Sequence, residues 1–172
     1  GLHVPEAQGG SGFSLEELVV VVEQFGRAIA PGPFVPTVIA SAVLAAVGGD
    51  VADRNLPGLA DGSLIGAVAL AADVTISDGT GSGKVGSVLG GGLAQLLLVA
   101  AGDDIVAVNV GDGVEVEVPA NLDPTRRSAR VTLDDAPGVV ITGAGRTLTD
   151  LSRVILSAEA VGIARECTER GA

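Results

Sequence analysis

The hydrophobic period of this 172-residue chain changes twice, and each change marks a border between kinds of secondary structure. Apolar residues recur at helical spacing up to residue 47, alternate in short runs from residue 64 to 141, and return to helical spacing from residue 149. Ser14 followed by Glu17 forms a capping box, so a helix is predicted to begin at Leu15. Leu15, Leu18, Val19, Val22 and Ile29 make its buried face. Pro31, Pro33 and Pro36 cannot continue it, which places its end at Ala30. A second helix opens near Pro36 and Thr37 and closes at Gly48 and Gly49. A short helical turn over Leu56–Ala60 precedes the turn dipeptide Asp61-Gly62.

The middle zone reads as strands. Val114–Val118 alternates valine with glutamate, so Glu115 and Glu117 face solvent. Asp112-Gly113 lies between Ile105–Val110 and Val114–Val118 and signals a hairpin. Ala129, Val131 and Leu133 share one face of a further strand. Such runs predict an antiparallel barrel or sandwich. In the last zone, Leu151, Val154, Ile155, Ala158, Val161, Gly162 and Arg165 form a helical stripe whose small residues suit close packing against other helices. A free-standing β-sandwich binding module does not account for the helical zones.

Composition narrows the function classes. A formal net charge of −11 argues against a nucleic-acid groove and against binding to an anionic membrane. Leu96–Ala101 is too short to span a bilayer. Hydrophobic residues make up 47%, yet Trp, Tyr and Met are absent, so the core is thin in large side chains. Large flat sheets packed on helices or on partner subunits are expected. Cys167, the one cysteine, excludes an internal disulfide and suits a reducing cytoplasm. The chain opens with no secretory signal, and Val4–Gly10 reads as an interior loop, so a piece of a longer protein is expected.

Few motifs carry chemistry. Gly81–Gly86 matches G-x-G-x-x-G, but the following Ser-Val-Leu-Gly-Gly-Gly is a poor helix, so glycines at turns between strands explain it better than a dinucleotide site. A phosphate-binding Walker loop fails because Asp78 and Val85 occupy required positions. His3, the one histidine, has no Cys or His partner nearby in sequence and is expected on the surface or in a loop; no metal site follows. Leu122–Arg127 (LDPTRR) forms a turn in which Asp and Thr side chains bond backbone amides. Its arginines are available to a phosphate or a neighbouring subunit, and a solvated turn is the simpler account.

Several of these segments, in their order, resemble the acyl-CoA dehydrogenase family. The helix, proline-rich stop and restart over 14–37 are similar to the family's N-terminal helical domain. Leu56–Gly62 and Leu64–Leu70 resemble the segment and strand that follow. Leu122–Arg127 resembles a turn of the family's β-domain, and Ala158–Ala164 the start of its C-terminal bundle. The resemblance implies an α+β fold. An N-terminal helical domain would end near 62, a β-domain would cover 63–145, and the first helix of a C-terminal bundle would fill 146–172.

It also implies FAD, an acyl-CoA substrate of fatty or steroid type desaturated at the α,β bond, and a homo- or heterotetramer, with α2β2 included. The family's flavin contacts fall on Leu70–Ala72 and Ser87–Val88. Leu70 and Val88 fit the pattern, whereas Ala71 replaces a threonine, Ala72 a glutamate and Ser87 an aromatic residue. The catalytic glutamate lies beyond Ala172 in most members, so no catalytic residue is assigned. The alternative reading is a non-catalytic structural subunit of a heteromeric enzyme.

Overall fold

The computed structural model describes residues 1–171; Ala172, the last residue of the expected third unit, lies outside the described residues. Three helices lead: α1 (Leu15–Arg27), α2 (Phe34–Val47) and α3 (Gly49–Asp61). Seven strands follow: β1 (Gly66–Ala69), β2 (Ala72–Ser77), β3 (Thr80–Val88), β4 (Leu96–Ala101), β5 (Asp104–Asn109), β6 (Val114–Glu117) and β7 (Ala129–Ile141). The long α4 (Gly145–Gly171) closes the chain. The fold class is α+β, as the change of period implied.

The cap at Ser14 forms as the spacing required, with the Glu17 side chain accepting from the Ser14 amide at 2.9 Å. α1 ends three residues earlier than the prolines dictated. Ile29 takes a left-handed conformation (φ 47°) and Ala30 N–H bonds the Phe25 carbonyl, so the stop is made before Pro31 is reached. Ile29 is therefore 56% exposed instead of belonging to the buried face. Phe25 and Phe34 stack across this turn, centroids 3.9 Å apart. Leu56–Ala60 proves to be the end of a full helix: Gly48 closes α2 and also opens α3, so the chain turns without leaving helical structure for long. α4 begins at Gly145, four residues before Thr149, because buried Leu148 extends the apolar stripe. Val154 and Val161 of that stripe stay exposed, and Ser152 and Glu159 are buried.

The strands make one mixed sheet in the order β1-β4-β5-β7-β3-β2, with β6 also on β7. It is not flat. β7 is bent: its first half pairs with β3 and β6, its second half with β5, and the β3–β7 ladder carries two register irregularities. All pairings are antiparallel except β1 with β4. That parallel strand is buried along its whole length, beneath α2, and a four-residue Gly-Ala-Val-Ala run carries no sign of direction.

Asp112-Gly113 is not a hairpin. β5 and β6 lie end to end along the same edge of β7, Val108 opposite Gly138 and Val114 opposite Leu133. Gly113 (φ 74°) provides the kink between them; a Cβ there would lie 2.6 Å from the Asp134 carbonyl oxygen. Tight two-residue hairpins form instead at Asp78-Gly79, both residues at positive φ, joining β2 to β3, and at Gly102-Asp103, joining β4 to β5.

Curling the sheet gives two cores. Leu96, Leu98 and Ile105 point to the helices and pack with Leu18, Ile39, Leu44 and Ile155. Leu97, Val99, Val106 and Val108 point into the curl and pack with Val85, Val88, Val131 and Leu133. β4 is covered on both faces, which is why its sequence is a continuous apolar run instead of an alternation. Fully burying each such leucine stabilises the fold by about 1.5–3 kcal/mol.

Candidate functional site

Leu70 and Ala71 bridge β1 to β2, and Gly86–Val88 end β3. The β2–β3 ladder aligns Ala72 with Val85, so these two segments are neighbours, and Gly86 N–H meets the Ala71 carbonyl at 3.4 Å. Two clefts meet at this seam, sharing Ala71, Gly86 and Ser87. The inner one, about 260 Å³, opens toward the helices and is walled by Ile39 of α2, Leu156 of α4, Leu70 and Leu89. The outer one, about 640 Å³, runs over β2, β3 and the start of β7, past Asp73, Lys84, Asn121, Ser128 and Arg130.

Leu70 stands at the rim of the inner cleft, 40% exposed. Val88 is fully buried in the core of the curl and lines neither cleft; its neighbours Ser87 and Leu89 do. The structure thus brings Leu70, Ala71 and Ser87 to one place and sets Val88 behind them. Among the residues lining the inner cleft there is no acid, base or aromatic ring, and the Ser87 hydroxyl is the one polar side chain. The outer cleft is charged: Lys84 faces Asp73 across the ladder, and Arg130 pairs with Glu117 at 3.4 Å, both exposed.

These walls give an apolar seat, but they do not fit a flavin unaided. A flavin ring carries hydrogen-bonding atoms along one edge and needs partners for them once buried. Here Ala71 and Ala72 bring no hydroxyl or carboxylate, and no ring is present to stack. A missing ring forfeits about 0.5–1.5 kcal/mol, and a missing hydrogen bond about 1 kcal/mol.

Two buried polar contacts outside the clefts escaped the sequence. His3 lies in a loop but is half-buried, not on the surface. Its Nε2 is 3.0 Å from Ser41 Oγ, while that hydroxyl donates to the Val38 carbonyl at 3.1 Å. Nε2 therefore carries the hydrogen, and buried Nδ1 has no partner. Burial, and then the nearby Gly1 amino group, push the imidazole pKa down to about 4.

The second feature is an ion pair. The LDPTRR turn is not merely solvated: Arg126 Nη1 reaches Glu159 Oε1 of α4 at 2.6 Å, with side chains only 13% and 10% exposed. Arg127 stays exposed at positive φ, its carbonyl accepting from Gly92 N–H. A glutamate beside Ala158 on a stripe of small buried residues was the available signal, because a buried carboxylate demands a partner. Nothing in the sequence named a partner 33 residues away.

Residues 1–63 match the family described as acyl-CoA dehydrogenase, N-terminal domain. The chain belongs to the acyl-CoA dehydrogenase family. It is 36% identical over 96% of its length to acyl-CoA dehydrogenase FadE34 of Mycobacterium tuberculosis, of which it covers 23%. It is 31% identical over 98% of its length to acyl-CoA dehydrogenase IpdE2 of the same organism, of which it covers 46%. Among solved structures, a variant of the Tcur3481–Tcur3483 steroid ACAD superposes with a TM-score of 0.85 at 29% identity. That match covers 97% of this chain and 51% of the other. The chain thus spans less than half the length of both curated relatives. No helix among the described residues is long and apolar enough to cross a membrane, and among them no three His, Cys, Asp or Glu side chains are grouped to hold a metal.

Proposed function

We propose that this chain forms part of an FAD-dependent acyl-CoA dehydrogenase subunit and supplies the apolar walls of its flavin and acyl seat. The substrate would be a fatty- or steroid-type acyl-CoA, desaturated between its α and β carbons. Residues 1–62, 63–145 and 146–172 act as the end of a helical domain, a β-domain and the first helix of a bundle. The observation that carries this reading is the convergence of Leu70, Ala71 and Ser87 on a cleft between the β-domain and α2 and α4. An apolar slot between sheet and helices suits the apolar face of a ring and an acyl chain. Its lack of any acid or base means that the groups removing the α-proton and holding the flavin's polar edge come from outside this chain.

The second reading, a structural subunit that binds no flavin itself, is favoured by that same emptiness of side-chain contacts. In either case the assembly is a tetramer, homomeric or α2β2. It works in the cytoplasm with no nucleic-acid or membrane partner.

A flavin titration separates the two. This chain alone, without a partner, is expected to bind FAD weakly or not at all. Ser87→Trp combined with Ala71→Thr adds two interactions of about 1 kcal/mol each and should tighten binding roughly 30-fold. Tight binding by the unmodified protein would refute the reading of these positions. No gain in the double variant would favour the structural subunit.

A further inference from the structure

The two walls of the inner cleft belong to different layers. Leu156 comes from α4, whereas Ala71 and Ser87 come from the curled sheet. How far apart they stand depends on how α4 is fixed to the sheet. At its start, Gly145 N–H bonds the Asp103 carbonyl at 2.8 Å. Roughly four helical turns further on, Glu159 meets Arg126. Leu156 lies between these two points, one turn before Glu159. Among the described residues, this is the one ion pair joining α4 to the β-domain.

Both partners are held from behind. Arg126 also faces Asp123 at 3.5 Å. Asp123 accepts from the Thr125 hydroxyl at 2.6 Å and its amide at 2.9 Å, which keeps the Asp123 carboxyl below its ordinary pKa. The Thr125 carbonyl accepts from Gly32 N–H, tying the same turn to the loop between α1 and α2. On the far side, Gly26 of α1 lies so close to the Glu159 backbone that a Cβ on Gly26 would be 2.2 Å from the Glu159 carbonyl oxygen.

We propose that the Arg126–Glu159 pair is a latch that sets the width of the inner cleft, with Arg126 acting as a positioning residue for a planar or acyl group held against Leu156. A small separation would leave two mostly buried charges with neither partner nor water, which is the least favourable arrangement. The contact is therefore either closed or fully opened to solvent, and the closed form fixes one cleft width. The consequence for flavin rests on the function proposed above; the latch itself does not.

The experiment is hydrogen exchange on the whole protein, wild type and Glu159→Gln, with Arg126→Ala and the reversed pair Arg126→Glu/Glu159→Arg. Exchange at residues 70–72 and 86–89 should rise by about tenfold or more in both single variants. Residues 96–99 and 105–108, in the strands of the core, should stay protected, and the reversed pair should recover most of the loss. If Arg126→Ala fails to fold, the isosteric Glu159→Gln decides. Unchanged exchange at 86–89, or a rise that is uniform over the core strands, would overturn the latch. FAD titration of Glu159→Gln in the Ser87→Trp/Ala71→Thr background reads the consequence separately: if exchange rises there but FAD affinity does not change, the latch stands and the flavin reading of the cleft falls.

Discussion

Two of the junctions that hold α4 differ in how close the backbones come and in how much water reaches their charges. Against α1 the closest approach is made of backbone: a Cβ on Gly162 would lie 2.0 Å from the Glu23 carbonyl oxygen, and one on Gly26 is blocked by Glu159, while the ion pairs Arg27–Glu166, Arg27–Glu169 and Arg165–Glu23 border this seam. Against the β-domain, Leu148 and Ile155 share a core with Leu96, Leu98 and Ile105, the Gly145 amide bonds the Asp103 carbonyl, and the one ion pair is Arg126 with Glu159. The glycine seam of the first is a matter of shape and leaves no room for a side chain, and the ion pairs beside it stand partly in water. The second depends on charge and on the exclusion of water. The comparison teaches that a rigid helix pair can carry an adjustable contact, because Glu159 belongs to both: its backbone lies in the glycine seam and its carboxylate reaches across to the turn.

The largest expected effect breaks the seam. Gly162→Val forces a side chain into backbone and should cost at least about 3 kcal/mol, measured as a fall in denaturant midpoint with the slope unchanged. A loss below about 1 kcal/mol would mean that the two helices slide apart readily. Arg126→Ala breaks the other junction. It should cost about 2 kcal/mol, at the low end for a buried pair because Arg126 retains some contact with water.

The pH dependence sharpens the comparison by removing a third contribution. His3 is neutral in the fold, with its pKa lowered to about 4, and close to 6.5 when unfolded. The unfolded chain therefore binds the proton first. The contribution is fully present above pH 6.5 and is lost progressively as pH falls to about 4. Discounted for partial exposure, the loss is about 2 kcal/mol. His3→Gln should flatten the stability profile between those limits, and an unchanged slope would show that the imidazole is free to charge. The smallest effect is at Ser14→Ala, which removes the α1 cap and should cost about 1 kcal/mol. Because it loosens only the far end of α1, exchange at residues 86–89 should not move; a rise there would mean that the two junctions are not independent.

The sequence by itself determined the elements whose signals are local. The capping box at Ser14, the alternation at Val114–Glu117 and Ala129–Leu133, and the small-residue stripe of α4 all reappear, because hydrogen bonding to the nearest amides and burial of one face need only neighbouring residues. Local signals misplaced what depends on competition at a distance. Pro31 was ready to end α1, but Ile29 ended it first. Asp112-Gly113 had the residues of a hairpin, yet β7 was long enough to pair with both flanking strands along one edge.

At the site the division is the same. Ala71 and Ser87 could be singled out from the sequence because each is a single side chain at a fixed place in a segment. That Leu70 lies on the cleft rim and Val88 behind it was decided by the curl of the sheet and by the register irregularity between Val85 and Ser87, which leave Val85 and Val88 facing inward. The partner of Glu159 was decided by the tertiary structure alone. A carboxylate on a buried helix face must find a cation, but which of the chain's arginines answers depends on where folding leaves it no water.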